Sequence, residues 1–110
     1  MQKRIAFKNM DHNDNLENFA NQKLGKIDSL LESERTPISL NLVLEQGKVH
    51  AHNKVELHVV TAHFNLVAHH EGPDFYKEIS HVIDTMVEEI RTAKERKTEE
   101  FRKRDSYKSA

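Results

Sequence analysis

Residues 37–45 have the sequence PISLNLVLE, the most regular alternation of apolar and polar side chains in this chain of 110 residues. A period of two is typical of a β-strand with one face against a core and the other toward solvent. Proline suits the start of a strand, where its missing N–H does least harm. The segment therefore predicts a strand whose apolar face consists of Ile38, Leu40, Leu42 and Leu44.

Two further strands are predicted downstream of this segment. Residues 46–48 supply a turn, and residues 54–59 then alternate between apolar and polar side chains, which indicates an antiparallel return. Residues 64–68 alternate once more after a weak turn signal. The Gly72-Pro73 pair ends the predicted sheet, because both residues disfavour a continuing strand.

Two helices are predicted from apolar residues that recur every three or four positions. The first begins at a cap, either Asn13 or Asp14, and ends near Leu31. Gly25 inside it costs about 1 kcal/mol relative to alanine. The second helix begins after the cap Asp74. The apolar stripe of the first helix comprises Leu16, Phe19, Ala20, Leu24, Ile27, Leu30 and Leu31, and that of the second comprises Phe75, Ile79, Val82, Ile83, Met86, Ile90 and Ala93.

A short strand over residues 3–7 completes the order β-α-β-β-β-α. The predicted fold class is α+β, with a four-stranded sheet and two helices packed on one of its faces in two layers. A second helix that runs to about Arg102 is roughly 43 Å long, whereas strands of about seven to nine residues span roughly 23 to 31 Å. Its end therefore extends beyond the sheet. We expect one domain over residues 1–104 and a short polar tail over residues 105–110.

The composition excludes several classes of protein. Apolar residues make up 36% of the chain and charged residues 32%, which is typical of a folded domain. There is no cysteine, so disulfides, thiolate zinc sites and a cysteine nucleophile are excluded. No apolar run approaches the roughly 18 to 20 residues that cross a bilayer, and the first residues lack a signal-peptide pattern. We therefore expect a cytoplasmic protein with no membrane contact.

Charge is distributed unevenly, although 17 basic and 18 acidic residues nearly cancel. Residues 74–90 contain five acids and one lysine, whereas residues 91–104 contain seven bases and three acids. Local positive charge attracts a polyanion even where the net charge is close to zero. Taken alone, however, such a basic segment is more often the solvated end of a long helix.

Signatures of catalysis and of cofactor binding are missing from the sequence. There is no P-loop, no dinucleotide-binding glycine motif, no zinc-protease helix motif and no nucleophile elbow. The adjacent Glu88 and Glu89 point apart on a helix, which is the wrong geometry for shared acid–base work. We predict a protein with no catalytic residues, no cofactor and no small-molecule substrate.

Eight histidines raise the question of a metal site. Alternate residues of a strand share a face, so the open face of the sheet is predicted to carry His50, His52 and His58, with His63 as a further candidate. A His-X-His pattern without a fixed third ligand is usually a hydrated surface, and we predict no metal. An alternative role of such histidines is to make the surface charge depend on pH.

Three segments of the chain resemble the ribosome hibernation-promoting factors and ribosome-associated inhibitors of bacteria and plastids: residues 13–16 (NDNL), 19–24 (FANQKL) and 74–79 (DFYKEI). The resemblance extends from the first strand to about Lys97. It implies a β-α-β-β-β-α domain that binds the small ribosomal subunit in the channel of messenger and transfer RNA. Such a domain would silence translation by occlusion, under stress or in stationary phase, through contacts with ribosomal RNA and with ribosomal proteins.

The resemblance also carries the basic RNA contacts of the family to Lys23 and Lys26 in the first helix and to Arg91, Lys94 and Arg96 in the second. Local charge adds Lys97 to this predicted RNA-binding set. Four positions lack a base that the family usually has: Gln22, Thr85, Glu88 and Thr92. Each phosphate contact that is lost flattens the salt dependence of binding by about 0.7 to 0.9 in slope, so we expect weaker binding than is typical of the family.

The sequence ends soon after the second helix, so the chain resembles the short forms of the family rather than the long forms with a dimerisation domain. Two other functions remain open at this point. The open, histidine-rich sheet face would suit a protein-interaction adaptor in which the basic segment is incidental. A free-standing double-stranded RNA-binding module is disfavoured by the additional first strand and the low basicity of the first helix.

Aromatic residues are predicted mainly to fill the core. Four phenylalanines are in phase with the apolar stripes, which favours core packing over stacking on RNA bases: Phe7, Phe19, Phe64 and Phe75. For Tyr76 both roles stay open, because its ring can pack while its hydroxyl finds a polar partner.

Overall fold

The structure, a computed structural model, describes the backbone of residues 1–48 and 52–108 and the side chains of residues 1–48 and 52–96. Six elements follow in the predicted order β-α-β-β-β-α. They are β1 (Gln2–Lys8), α1 (Asp14–Leu31), β2 (Ser39–Glu45), β3 (Asn53–Val60), β4 (Asn65–Gly72) and α2 (Phe75–Lys108). Within the described ranges, neither helix is long and apolar enough to span a membrane.

The four strands form one sheet in the order β1-β2-β3-β4. β1 pairs in parallel with β2, with Ile5 opposite Leu42, because α1 returns the chain to the end of the sheet at which β1 began. The three strands β2, β3 and β4 are antiparallel neighbours, with Leu57 between Leu42 and Ala68. These four residues form one row across the face that both helices cover, so the predicted α+β class and its two layers are confirmed.

The core lies between this face of the sheet and the two helices. Leu40, Leu42 and Leu44 of β2 are each at most 1% exposed, which confirms the alternation seen in residues 37–45. The helices contribute the buried side chains Leu16, Ala20, Leu24, Ile27 and Leu31 from α1 and Ile79, Val82, Ile83, Met86, Val87 and Ile90 from α2. Each large apolar side chain buried in this way stabilises the fold by about 1.5 to 3 kcal/mol.

Side-chain caps begin both helices. Asn13 is the cap of α1, since its Oδ1 accepts a hydrogen bond from the N–H of Leu16 at 3.1 Å. Asp74 caps α2 in the same way by accepting from the N–H of Tyr76 at 3.0 Å. The buried Glu78 accepts in turn from the N–H of Asp74 at 3.4 Å. These bonds satisfy N–H groups that have no partner within the first turn of a helix.

The second helix extends well beyond the sheet, as predicted. Its 34 residues span about 51 Å at 1.5 Å per residue, whereas strands of seven or eight residues span about 23 to 27 Å. It ends at Lys108 rather than near Arg102, because residues 103–108 contain no glycine or proline to stop it. The helix thus continues into the segment expected to form a polar tail, of which residues 109–110 lie outside the described part of the chain.

Candidate functional site

The two helices lie side by side and run in the same direction. Their contacts advance together along both elements: Phe19 with Tyr76, Lys26 with Asp84, and Leu30 with Lys94. Residues three, four or seven positions apart share a side of a helix. The two helices therefore contact each other along their length. The residues that border this contact on the outside of the domain form a continuous strip.

Lys23 and Lys26 lie on the α1 side of this strip. The Lys23 side chain is half-buried, and its ammonium nitrogen lies 5.6 Å from the centroid of the Phe19 ring, a cation–π distance. Lys26 is exposed, and its Nζ lies 3.7 Å from Oδ1 of Asp84 on α2. Both lysines thus face the second helix, as a shared RNA-binding surface requires.

Arg91 and Lys94 lie on the α2 side of the strip. Arg91 is exposed and pairs with Glu88, with 3.2 Å between Nη1 and Oε1. The half-buried Lys94 donates a hydrogen bond to the backbone carbonyl of Leu30, near the end of α1. Because α1 has no basic residue in its own last turn, Lys94 supplies the positive charge that favours the negative end of a helix dipole. Lys94 therefore has a structural contact in addition to its predicted role.

Arg96 and Lys97 differ from these four bases. Arg96 is exposed and lines a groove between α2 and the edge strand β4, together with Leu66 and Thr92. Glu88, which pairs with Arg91, lines the same groove, so Arg96 lies on the β4 side of α2, next to the strip. The side chain of Lys97 lies outside the described residues. Of the six predicted RNA-binding residues, the structure brings four together: Lys23, Lys26, Arg91 and Lys94.

We call the strip the paired-helix surface, defined by Lys23, Lys26, Asp84, Glu88, Arg91 and Lys94. It holds four bases and two acids, and each acid contacts one of the bases. Ion pairs between exposed side chains contribute only about 0.2 to 1 kcal/mol, so Lys26 and Arg91 can exchange these carboxylates for phosphates. The pairing of Glu88 with Arg91 is readable from the spacing of three, whereas that of Lys26 with Asp84 joins residues far apart in the sequence.

An open groove adjoins this surface near the start of α2. It is lined by Phe19, Tyr76, Lys77, Ser80, His81 and Asp84. The four phenylalanines predicted to fill the core do pack against it, but Tyr76 is 44% exposed. His81 also stacks on His70 of β4, with ring centroids 4.5 Å apart and planes 3° from parallel. Sequence patterns did not reveal this groove, because its residues come from both helices.

The predicted histidines do not form one cluster. His58 lies on the open face of the sheet and contacts Asn65, and His52 precedes β3 and lies 3.7 Å from a carboxylate oxygen of Glu71. His63 is instead in the turn between β3 and β4, where it pairs with Glu34 at 3.1 Å. A turn does not preserve strand alternation, which is why His63 leaves the open face. His50 lies outside the described residues.

One group of possible metal ligands was not anticipated from the sequence. His12, Asp14 and Glu17 place one ligand atom each within 4.8 Å of one another around the start of α1. His12 Nε2 lies 2.6 Å from Glu17 Oε2 and 3.0 Å from Asp14 Oδ1, so hydrogen bonds account for the cluster. None of the three side chains is buried, and the arrangement is that of a hydrated surface.

The fold is similar to that of two solved structures. The N-terminal domain of Protein Y from Thermus thermophilus superposes with a TM-score of 0.68 at 16% sequence identity, covering 84% of this chain and 98% of that chain. A ribosomal subunit interface protein from Coxiella burnetii gives a TM-score of 0.69 at 16% identity, covering 86% of this chain and 98% of that chain. At such identities the similarity establishes the fold. Comparison with curated proteins gave no match.

A protein-family model matches the sequence itself. The match covers residues 4–98, which include the sheet except for the first two residues of β1, all of α1 and the paired-helix surface. The resemblance noted in residues 13–16, 19–24 and 74–79 is thereby confirmed, since all three segments lie within the match. The chain belongs to the ribosome-associated family described as Sigma 54 modulation protein / S30EA ribosomal protein.

Proposed function

We propose that this protein binds the small ribosomal subunit in the channel of messenger and transfer RNA and silences translation there under stress or in stationary phase. Family membership supports a role on the ribosome. The observation that carries the finer proposal is the gathering of Lys23, Lys26, Arg91 and Lys94 on one side of the helical layer. A strip of bases along two adjacent helices suits the phosphates of folded ribosomal RNA.

The proposed mechanism is occlusion without chemistry. Contacts between bases and phosphates position a protein but do not by themselves read a sequence. The domain bound in this way occupies space that messenger and transfer RNA need. Ribosomal proteins that line the same channel are expected as additional partners.

The electrostatic part of the binding is expected to be modest. If each of the four bases on the paired-helix surface contacts one phosphate, the logarithm of the binding constant should fall by roughly 3 for a tenfold rise in salt concentration. This takes about 0.7 to 0.9 for each phosphate. Three positions that lack the base expected from the family resemblance, Thr85, Glu88 and Thr92, line the groove that also contains Arg96. The side of α2 toward β4 is consequently less basic than the side toward α1.

Sedimentation of a cell lysate through sucrose at low and high salt tests the binding partner. The wild-type protein should travel with small subunits or whole ribosomes at low salt and be released at high salt. The double variant Lys26→Glu with Arg91→Glu should remain near the top of the gradient. A matched control reverses Arg4 and Lys8, which are exposed on the open face of β1, and should sediment like the wild type.

Two results would contradict the proposal. Free migration of the wild type at every salt concentration would favour the adaptor alternative, in which the open sheet face binds a protein. If the Lys26–Arg91 variant and the Arg4–Lys8 control lose cosedimentation with ribosomes equally, net charge rather than this surface governs binding.

A competition experiment tests occlusion separately. Purified small subunits programmed with messenger RNA are mixed with labelled transfer RNA and increasing amounts of the protein. Displacement of transfer RNA, with an inhibition constant equal to the dissociation constant of the protein, is the expected result. Simultaneous binding of both would place the protein outside the channel.

A further inference from the structure

Tyr76 is exposed although its neighbours are packed. In the described part of the chain it is the only aromatic member of the exposed large hydrophobic side chains, with 44% of its surface accessible. It is the second residue of α2, beside the half-buried Phe75. An exposed ring next to a basic surface is a common stacking platform for nucleic-acid bases, since every base has a π-face.

The ring of Tyr76 is held in place by a second aromatic residue. Its centroid lies 4.9 Å from that of Phe19 at an interplanar angle of 76°, an edge-to-face contact. Phe19 packs against the core, and the N–H of Tyr76 donates to Asp74 at 3.0 Å, which anchors the backbone. A ligand that stacks on Tyr76 therefore meets a ring that is already ordered, so that little entropy is lost on binding.

The groove beside Tyr76 combines stacking, charge and hydrogen-bonding groups. Lys77 lines it, and the ammonium of Lys23 lies over Phe19 at its edge, 5.6 Å from that ring centroid. Ser80 and Asp84 supply a hydroxyl and a carboxylate on the next turns of α2. Two lysines flanking an aromatic platform complement a base with its phosphates better than they complement an apolar peptide.

We propose that this groove receives one unstacked base of the small-subunit ribosomal RNA, which stacks on Tyr76 while Lys23 and Lys77 contact the flanking phosphates. The inference deepens the proposed function and rests on it. The stacking on Tyr76 is independent of salt, whereas the phosphate contacts of Lys23 and Lys77 depend on it like those of the paired-helix surface.

The test compares Tyr76→Leu with the wild type in equilibrium binding to purified small subunits and to deproteinised small-subunit RNA, each at several salt concentrations. Loss of one stacked base should weaken both interactions by about 5- to 150-fold. The salt slope should stay unchanged, because no phosphate partner is removed. Lys77→Gln should instead flatten the slope by about 0.7 to 0.9. Tyr76→Phe, which keeps the ring, should bind like the wild type.

Val67→Ala is the matched control, because it also shortens an exposed hydrophobic side chain but lies in β4 on the open face of the sheet. It should leave both affinities unchanged. Ser80→Leu provides a second approach that keeps Tyr76 and Phe19, since it adds a larger side chain to the groove one turn further along α2. It should weaken binding as Tyr76→Leu does, even if Tyr76→Leu were to perturb the fold.

The outcomes separate this inference from the proposed function. If the wild type binds neither small subunits nor their RNA, the proposed function fails and the inference fails with it. If the wild type binds and both Tyr76→Leu and Ser80→Leu bind equally well, only the base-stacking inference fails. If the variants lose affinity for intact subunits but bind deproteinised RNA like the wild type, the groove contacts a ribosomal protein and the inference is overturned.

Discussion

Removing the acids of the paired-helix surface should strengthen binding to the small subunit. Glu88 lies 3.2 Å from Arg91, and Asp84 lies 3.7 Å from Lys26. All four side chains are more than half exposed, so their replacement leaves the core intact. In the complex, each carboxylate would repel a phosphate that binds the neighbouring base. We expect Glu88→Gln and Asp84→Asn to raise the affinity.

The size of this effect follows from Coulomb's law. A phosphate bound to Arg91 would lie about 6 Å from the Glu88 carboxylate, and two like charges at that distance repel by about 0.7 kcal/mol in a water-like dielectric. Salt with a Debye length of about 8 to 10 Å lowers this to about 0.4 kcal/mol. Each substitution should thus raise the affinity by about 2-fold, and both together by about 4-fold. The lost ion pairs should reduce stability by about 0.2 to 1 kcal/mol each.

Equilibrium binding to purified small subunits at one fixed, low salt concentration measures the effect. Glu56→Gln is the matched control, because it makes the same chemical change and the same change in net charge on the open face of the sheet. It should alter the affinity less than 2-fold. The reasoning is refuted if Glu88→Gln leaves the affinity unchanged or lowers it, or if Glu56→Gln raises it equally.

Three substitutions test the fold itself by urea denaturation. Gly25→Ala should stabilise the protein by about 0.5 to 1 kcal/mol, because a Cβ there meets nothing within 4 Å and helical glycine is entropically unfavourable; a loss of stability would contradict the packing of α1. Gly47→Ala should destabilise by about 1 to 3 kcal/mol, because its Cβ would lie 2.0 Å from the carbonyl oxygen of His52. Asn13→Ala should destabilise by about 0.5 to 2 kcal/mol through loss of the cap on Leu16, whereas Asn13→Asp should keep most of the stability.

Sequence periodicity was sufficient to predict the strands and helices and the face of each that is buried. The alternation in residues 37–45 and the three- and four-residue spacing around Leu24 and Ile83 each predict which side chains are buried, because these patterns arise within a single strand or helix. The cap Asp74 was equally readable, since a cap binds an N–H two or three residues away, and of the two candidates for α1, Asn13 and Asp14, the structure selects Asn13. The end of α2 was misjudged because a solvated helix without glycine or proline has no local stop signal.

The six predicted RNA-binding residues show what local sequence patterns do not predict. Charge and family resemblance proposed them together, but only tertiary packing placed Arg96 in the groove beside Leu66 of β4. The same packing coupled Lys26 to Asp84 and gave Lys94 a carbonyl partner on α1.

By itself, the sequence determined the order of elements, the inward face of each and the uneven charge, because these depend on neighbours within a few residues. The parallel position of β1 at the sheet edge, the shared surface of the two helices and the exposure of Tyr76 were decided only in three dimensions. Each depends on how one helix is aligned with another over the sheet. That alignment follows from the fit of side chains distant in sequence, which no short window contains.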